Sequence, residues 1–470
     1  KFMEEKKLGL RNVISVSVGL VIATSTLVQL GQGAGQAGVI FIPAMIIACL
    51  FNMITMATLA ELNAIMPNVT GGLAQYTLAG IGPIPTIVLM VGGYMVSNIL
   101  SCGVEASIFA YAMGSVLGLP IPNYFWVVIA SVIILIANLR GVDMFAKIQD
   151  LVSYLMLGSM LVMGILGALK LGTGKIVSQP MVVGHQTPLS IISLTAIAFW
   201  LFIGAEYAIP ISKDVKNAKR NVPLGMFMGL GIICIVQMIM IFGFHNYTSW
   251  DDLMNSAAPH LLYGESLYGK AGQIWMCIVS ALAVVSTQNS TVQGLSEIFA
   301  GMSHTNLMPQ FFGKMNKNKV PYIGCWMITI GILICAWISQ NSSDRISFLI
   351  QVGSVFWMAS YATANIDLLV FRYRLPKAPR NFKVPLGPIL PCISIAGIIF
   401  MIANISTDPV ERNQILLVTA IITAILFVYS IFWIKLKMHI PLFKAVPMEK
   451  VLAMENPMYY RIRKYRGIWK

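Results

Sequence analysis

Two carboxylates stand inside apolar stretches of this chain. Glu105 sits in Ser101-Cys102-Gly103-Val104-Glu105-Ala106-Ser107, and Glu206 closes Phe202-Ile203-Gly204-Ala205-Glu206. An ionisable group at the centre of a bilayer costs roughly 2.5 kcal/mol or more, so such groups usually face a cavity and work there. Two acids near one site have two chemistries open to them: holding a cation such as an ammonium, or sharing a proton. Each also has a structural reading, Glu105 as a carboxyl satisfied by its helix neighbours and Glu206 as a brace between helix ends. No basic residue lies mid-run to pair them, which favours an amine-bearing or cationic substrate. Aromatic residues accompany them: Phe199, Trp200 and Phe202 before Glu206, and Trp357 and Tyr361 further on. Rings can close a small cavity and stack on a cation, or they can simply pack.

The segments that carry these groups contain weak points. One reads Gly19-Leu20-Val21-Ile22-Ala23-Thr24-Ser25-Thr26, followed by Gly31, Gly33 and Gly35; the other is Phe202 to Glu206, followed by Pro210. Small, hydroxylated or glycine residues at corresponding places in two halves of a chain point to interrupted helices around a transport site. Unwinding there frees backbone groups, and half-helix dipoles can then bind a carboxylate or a cation. The competing reading is ordinary small-residue helix packing.

Composition explains what solvent those helices see. Of 470 residues, 57% are hydrophobic and only 11% charged, against about 25% charged in soluble domains; mean hydropathy is +0.77. Twelve apolar runs are long enough to span a bilayer, near 12–34, 38–66, 83–117, 123–139, 146–170, 188–212, 222–245, 271–301, 321–340, 345–371, 386–405 and 413–436. The segment 246–270 is polar and reads as a surface loop with a short helix. The first run reads as a genuine span and not a cleavable signal, and residues are expected to precede Lys1. With the N-terminus in the cytoplasm, all but five of the 32 Lys and Arg fall inside; Lys170, Lys175, Lys270, Arg345 and Arg412 are the five outside. That asymmetry supports the helix count and puts both termini in the cytoplasm.

The net charge of +14 sits in short loops and in a basic tail around Tyr459–Arg466, so anionic membrane lipid is the expected partner and nucleic acid is not. Glu61, Asp150, Glu297 and Asp367 lie nearer the cytoplasmic ends of their helices and are expected to pair with the basic inside loops. The seven cysteines are scattered without a CxxC pair and read as small buried hydrophobes. His185, His245, His260, His304 and His439 are dispersed, with no nucleophile–His arrangement, so an enzyme is not expected. A channel or sensor is the rival class; the tail after the last run is too short for a typical signalling domain.

Several motifs resemble those of the amino acid–polyamine–organocation superfamily of secondary transporters, over about Leu8 to Lys437. They are Ala60-Glu61-Leu62 with Pro67, Gly71-Gly72 and Tyr76; Gly204-Ala205-Glu206 with Asp214 to Pro223; Pro309 and Phe312 with Val320-Pro321; and Arg380-Asn381-Phe382-Lys383-Val384-Pro385. The resemblance implies an all-α, twelve-helix membrane protein with the five-plus-five inverted-repeat (LeuT-like) fold and broken helices one and six. The first repeat would cover 10–170, the second 188–374, peripheral helices 384–437, and a cytoplasmic tail 438–470. It implies alternating access in a cell (inner) membrane, by exchange or ion-coupled symport of an amino acid, amine or related organic cation. No cofactor is expected, the coupling ion being Na+ or H+, and the oligomeric state is open. The substrate site would be Ala23, Thr24, Ser25, Thr26, Glu105, Phe202, Gly204, Ala205, Glu206 and Trp357. A sodium site, as in sodium-coupled members of this fold, would use Gly19, Ile22, Ala283, Ser286 and Thr287. Two departures stand out. Many members have Gly-Ser/Thr-Gly at the helix-one break where this chain has Ala23-Thr24-Ser25, and some have a helix-five lysine where this chain reads Val152-Ser153-Tyr154-Leu155-Met156.

Overall fold

The computed structural model describes residues 8–454, apart from 68, 70, 71, 119, 185, 186, 210, 340–342, 379, 381 and 407, and apart from the side chains at 142–146, 188, 189, 213, 343–347 and 454. Gly71, Pro210, Asn381, His185 and the tail beyond 454 therefore lie outside the described residues.

The chain is helical, and its first apolar run is two helices. α1 (Leu10–Val21) and α2 (Thr24–Ala37) meet at a bend of 61°. Ile22 (φ −88°, ψ 89°) and Ala23 (φ −103°, ψ 167°) leave the helical region between them. Thr26 makes the interruption tolerable. Its hydroxyl donates to the Val21 carbonyl at 2.8 Å and accepts the Ala23 N–H at 3.3 Å, serving orphan groups on both sides of the break.

Then follow α3 (Phe41–Ile65), α4 (Leu73–Gly80) and α5 (Pro83–Thr86), which runs through a π-helical stretch, Ile87–Val96, into α6 (Ser97–Leu117). A Cβ on Gly93 would stand 1.6 Å from Ser360 Oγ, so the bare glycine lets another helix approach there. α7 (Asn123–Leu139) and α8 (Val142–Ala168) complete the first half.

α9 (Pro188–Phe199) tightens into a 3-10 turn, Trp200–Phe202, and stops. Ile203 is extended and Gly204 has φ +121°, a conformation that favours glycine. A second 3-10 turn, Ala205–Ala208, resumes beyond it. The chain goes on through α10 (Ala218–Tyr247), α11 (Trp250–Asn255), α12 (Pro259–His304), α13 (Tyr322–Ser339), α14 (Ser343–Arg374), α15 (Ile389–Ala403), α16 (Pro409–Trp433) and α17 (Met448–Met454).

Some boundaries differ from the sequence reading. α12 begins inside the stretch read as a polar loop and is interrupted only at Tyr268–Gly269, where Gly269 has φ +59°. The tail carries a helix, α17, and is tied down just before it: Val446 N–H donates to the Leu78 carbonyl at 3.0 Å. Cys392 is exposed, whereas the other six cysteines are buried as expected.

Solvent-facing and interior chemistry are reversed relative to a soluble protein. Ile133, Leu151, Trp337, Ile425 and Phe432 are exposed, while Glu61, Glu105, Gln149, Asn289 and Asp367 are buried. Nine helices are long and apolar enough to cross a membrane, or ten with α1 and α2 as one span, among the described residues. This is a multi-pass membrane protein.

One end of the helices carries a clamp. Arg372 at the end of α14 grips the buried Glu61 of α3 through Nε at 3.0 Å and a second nitrogen at 2.5 Å. Arg380 stands 3.4 Å from the same carboxylate, and Val384 N–H donates to it at 2.7 Å. Glu61 thus meets basic residues as the sequence suggested. Asp150 and Asp367 instead bind neutral donors: Asp150 accepts from Asn12 at 2.6 Å and from Ser15, and Asp367 accepts from Thr77 at 2.6 Å. Both face small polar groups on neighbouring helices; Asn12 and Ser15 serve both oxygens of Asp150, whereas Thr77 serves one oxygen of Asp367 and the other has no partner among the described residues.

Candidate substrate site at the two interruptions

The breaks in α1–α2 and after α9 meet at the centre of the protein. Glu105 projects from α6 onto the start of α2, where its carboxylate accepts the Ser25 N–H at 2.8 Å and the Ser25 hydroxyl. The same hydroxyl accepts the Trp200 indole N–H at 2.9 Å. Trp200 lies edge-on to Trp357, with ring centroids 6.0 Å apart and an interplanar angle of 89°. Trp357 in turn donates its indole N–H to Glu206 at 2.8 Å. Glu206 also accepts from the Tyr361 hydroxyl and from Gly204 N–H, the latter at 3.1 Å. It therefore satisfies an amide that its own helix break releases. One contact chain thus runs Glu105–Ser25–Trp200–Trp357–Glu206 across both interruptions.

Beside this chain lies a cavity of about 20 Å³, room for about one water. Ala23, Thr26, Thr287 and Trp357 line it, as do Trp200, Asn98, Ser101 and Thr291. Of the site residues named from sequence, Ala23, Thr26 and Trp357 reach this wall. Thr24, Ser25, Glu105, Phe202, Gly204, Ala205 and Glu206 are close-packed behind it, the six with side chains buried. Asn98, Ser101 and Thr291 were missed, yet a signal existed. Asn98, Ser101 and Glu105 recur at helical spacing on one face, as do Ala283, Thr287 and Thr291. Tyr207 donates to Asn98 at 2.9 Å, and Tyr94 packs between Tyr207 and Trp357 with centroids 6.2 Å from each, so aromatic rings fix this wall.

Above Trp200 opens a vestibule of about 390 Å³, lined in part by Gln29, Gln32, Gln36, Gln351 and Glu411. Trp200 belongs to both linings and divides vestibule from cavity.

The residues named for a cation hold a different arrangement. Ser286 donates to the Gly19 carbonyl at 2.7 Å, and Ile22 is at the break, but the Gln149 amide nitrogen reaches into the same space. It donates to Ser286 at 2.7 Å and to Ser153 at 3.0 Å. Asn289 donates to the Gln149 carbonyl oxygen at 3.1 Å, which fixes the amide's orientation. Only a glycine at 19 admits this, because a Cβ there would stand 1.6 Å from Gln149 Nε2. A hard cation wants oxygen ligands, and an amide N–H is a donor, so the set fits sodium poorly. Thr287 and Ala283 are buried nearby.

The sequence profile described as amino acid permease matches residues 8–432. The chain belongs to the amino acid permease family. The permease is 22% identical over 460 residues to the branched-chain amino acid permease BcaP of Bacillus subtilis, covering 91% of this chain and 93% of that one. It is 23% identical to a putative histidine permease of the same organism, with 86% and 88% covered. It is 21% identical to the human cystine/glutamate transporter, with 87% and 82% covered. In fold the permease is similar to the Eremococcus coleocola manganese transporter (TM-score 0.60, 15% identity, 94% of each chain). It is also similar to Mhp1, a nucleobase-cation-symport-1 family transporter in a closed conformation (TM-score 0.57, 14% identity, 96% and 97% covered). The permease is thus a secondary transporter for an amino acid or amine, with the fold of those neighbours.

Proposed function

We propose that the permease carries its substrate across the cell membrane by alternating access around the cavity at the two breaks. The observation that carries this reading is the division of one path by one residue: Trp200 separates a wide vestibule from a cavity of about 20 Å³. A channel would need a continuous path, whereas a carrier needs closures that open in turn. Trp200 is the outer closure, and the Glu61–Arg372–Arg380 clamp belongs to the inner one.

In this reading α1 and α2 are one broken span and the interruption after α9 breaks another. With α7 and α15, the two shorter apolar helices, the spans number twelve. Residues 10–170 and 188–374 are the inverted repeats, and both termini face the cytoplasm. The substrate lies against Ala23, Thr26, Trp200, Thr287 and Trp357, with Glu105 and Glu206 behind them. The Gln149 amide stands in the space a sodium ion would take, which supports exchange or proton-linked transport over sodium symport.

Tracer uptake into proteoliposomes tests this, with and without internal substrate and with imposed sodium or pH gradients. Saturable uptake stimulated by internal substrate supports a carrier; uptake of no amine or amino acid would overturn the substrate class.

A further inference from the structure

The start of α2 points at the centre of the protein. A helix N-terminus carries N–H groups without partners in the helix, and its dipole favours negative charge, so it is a ready anion site. In this permease the anion is already supplied. Glu105 takes the Ser25 N–H at 2.8 Å and the Ser25 hydroxyl, and both residues are fully buried. Trp200 adds a third donor to the cluster through Ser25 Oγ at 2.9 Å.

The neighbouring cavity is built to match. Its lining offers the hydroxyls of Thr26, Ser101, Thr287 and Thr291, the Asn98 amide, and the faces of two indoles, with no basic residue. Thr287 is 3% exposed, and its hydroxyl has no hydrogen-bond partner among the described residues. Glu206, one layer behind, is likewise held by neutral donors: Trp357, Tyr361 and Gly204. Among the described residues neither carboxylate has a basic partner. A cation in the cavity would meet two carboxyl groups without basic partners and the faces of two indoles, an environment that stabilises an organic cation.

We infer that the substrate is an amine without a carboxylate, Glu105 serving as the protein's own carboxylate at the α2 terminus. An α-amino acid would bring a further carboxylate to the Ser25 amide that Glu105 already takes, beside two acidic side chains. Its ammonium alone would be welcome. The inference rests on the transport reading above and narrows its substrate class.

The test uses the full-length protein, purified and in proteoliposomes, with three matched pairs that differ by one carboxylate: isopentylamine and leucine, cadaverine and lysine, histamine and histidine. Competition for tracer counterflow and thermal-shift titration give each affinity. The amine of at least one pair should bind on the order of 100-fold more tightly than its amino acid, since like-charge juxtaposition is strongly selective. Glu105→Ala frees the Ser25 N–H and should cut that ratio at least about tenfold, chiefly by weakening the amine and admitting the amino acid. Glu105→Gln keeps a hydrogen-bond acceptor at Ser25 and reads the charge alone if the alanine variant does not fold; it should narrow the ratio in the same direction. Preference for the amino acid of every transported pair would overturn the inference and leave the permease reading standing. So would a ratio untouched by Glu105→Gln. Uptake of none of the six compounds by well-folded protein would overturn both.

Discussion

The Trp200 indole N–H donates to the Ser25 hydroxyl at 2.9 Å, and this single bond ties one helix interruption to the other. Ser25 is the second residue of α2, and Trp200 opens the 3-10 turn that ends α9. The residue that closes the vestibule is thereby fastened to the helix terminus that Glu105 neutralises. In the proposed cycle Trp200 moves to open this closure and the bond breaks, so the closure and the state of the α2 terminus are linked.

Replacing Trp200 should shift that closure by a measurable amount. A neutral hydrogen bond is worth about 1 kcal/mol net, so Trp200→Phe, which keeps a ring and loses the N–H, should favour the open form roughly fivefold. Trp200→Ala should favour it more. The check is labelling of Ser101→Cys by a membrane-impermeant thiol reagent, in protein carrying Cys392→Ser to remove the exposed thiol. Labelling should rise in the order wild type, Phe, Ala; equal rates would refute the gate.

The Glu61 clamp should be worth far more. Glu61 is fully buried and serves two arginines and the Val384 N–H. Removing one partner of a buried pair typically costs about 3–5 kcal/mol, because the other charge is left unpaired. Glu61→Ala should therefore lower the melting temperature of the purified protein markedly. The double variant with Arg372→Ala should lose clearly less than the sum of the two single losses. Additive losses would mean that the clamp does not act as a unit.

Gly204 should tolerate no side chain. Its φ of +121° favours glycine, and a Cβ would stand 2.8 Å from Leu20 Cδ2 on α1. The strain of such a conformation is about 1–3 kcal/mol, and it falls where both breaks meet. Gly204→Ala should reduce uptake severely even in protein that is still inserted and monodisperse; full activity would show that the break tolerates rearrangement.

Sodium should make no difference to the wild-type protein. Gln149 presents N–H groups to Ser153 and Ser286 beside the Gly19 carbonyl. Gln149→Glu replaces that donor with an oxygen and supplies a negative charge, the change a hard cation requires. Uptake in NaCl and KCl buffers should be equal for wild type, and stimulated by NaCl in the variant. Strong sodium stimulation of wild type would contradict the assignment.

These residues also mark what was legible in the sequence. Glu105 and Glu206 stood out because a charge in an apolar run is expensive and therefore conspicuous. The first break stood out because Ala23 to Thr26 combine small size with hydroxyls. The π-helical stretch at Ile87–Val96 and helix α17 gave no such signal: the first has the composition of any apolar span, and the second is only seven residues long. Gln149, Ser153 and Asn289 were equally silent, since a neutral polar residue in a membrane helix is as often a packing group as a site. Loop charge predicted the partners of Glu61 and misled for Asp150, whose partners Asn12 and Ser15 are uncharged and distant in sequence.

A carrier with one closed site at the breaks is tested most directly by counterflow. Proteoliposomes loaded with unlabelled substrate and diluted into tracer should accumulate label transiently above equilibrium, with saturable rates that fall in Gly204→Ala and Glu206→Gln. Label that only equilibrates, at a rate linear in concentration and indifferent to internal substrate, would contradict a carrier and indicate a channel.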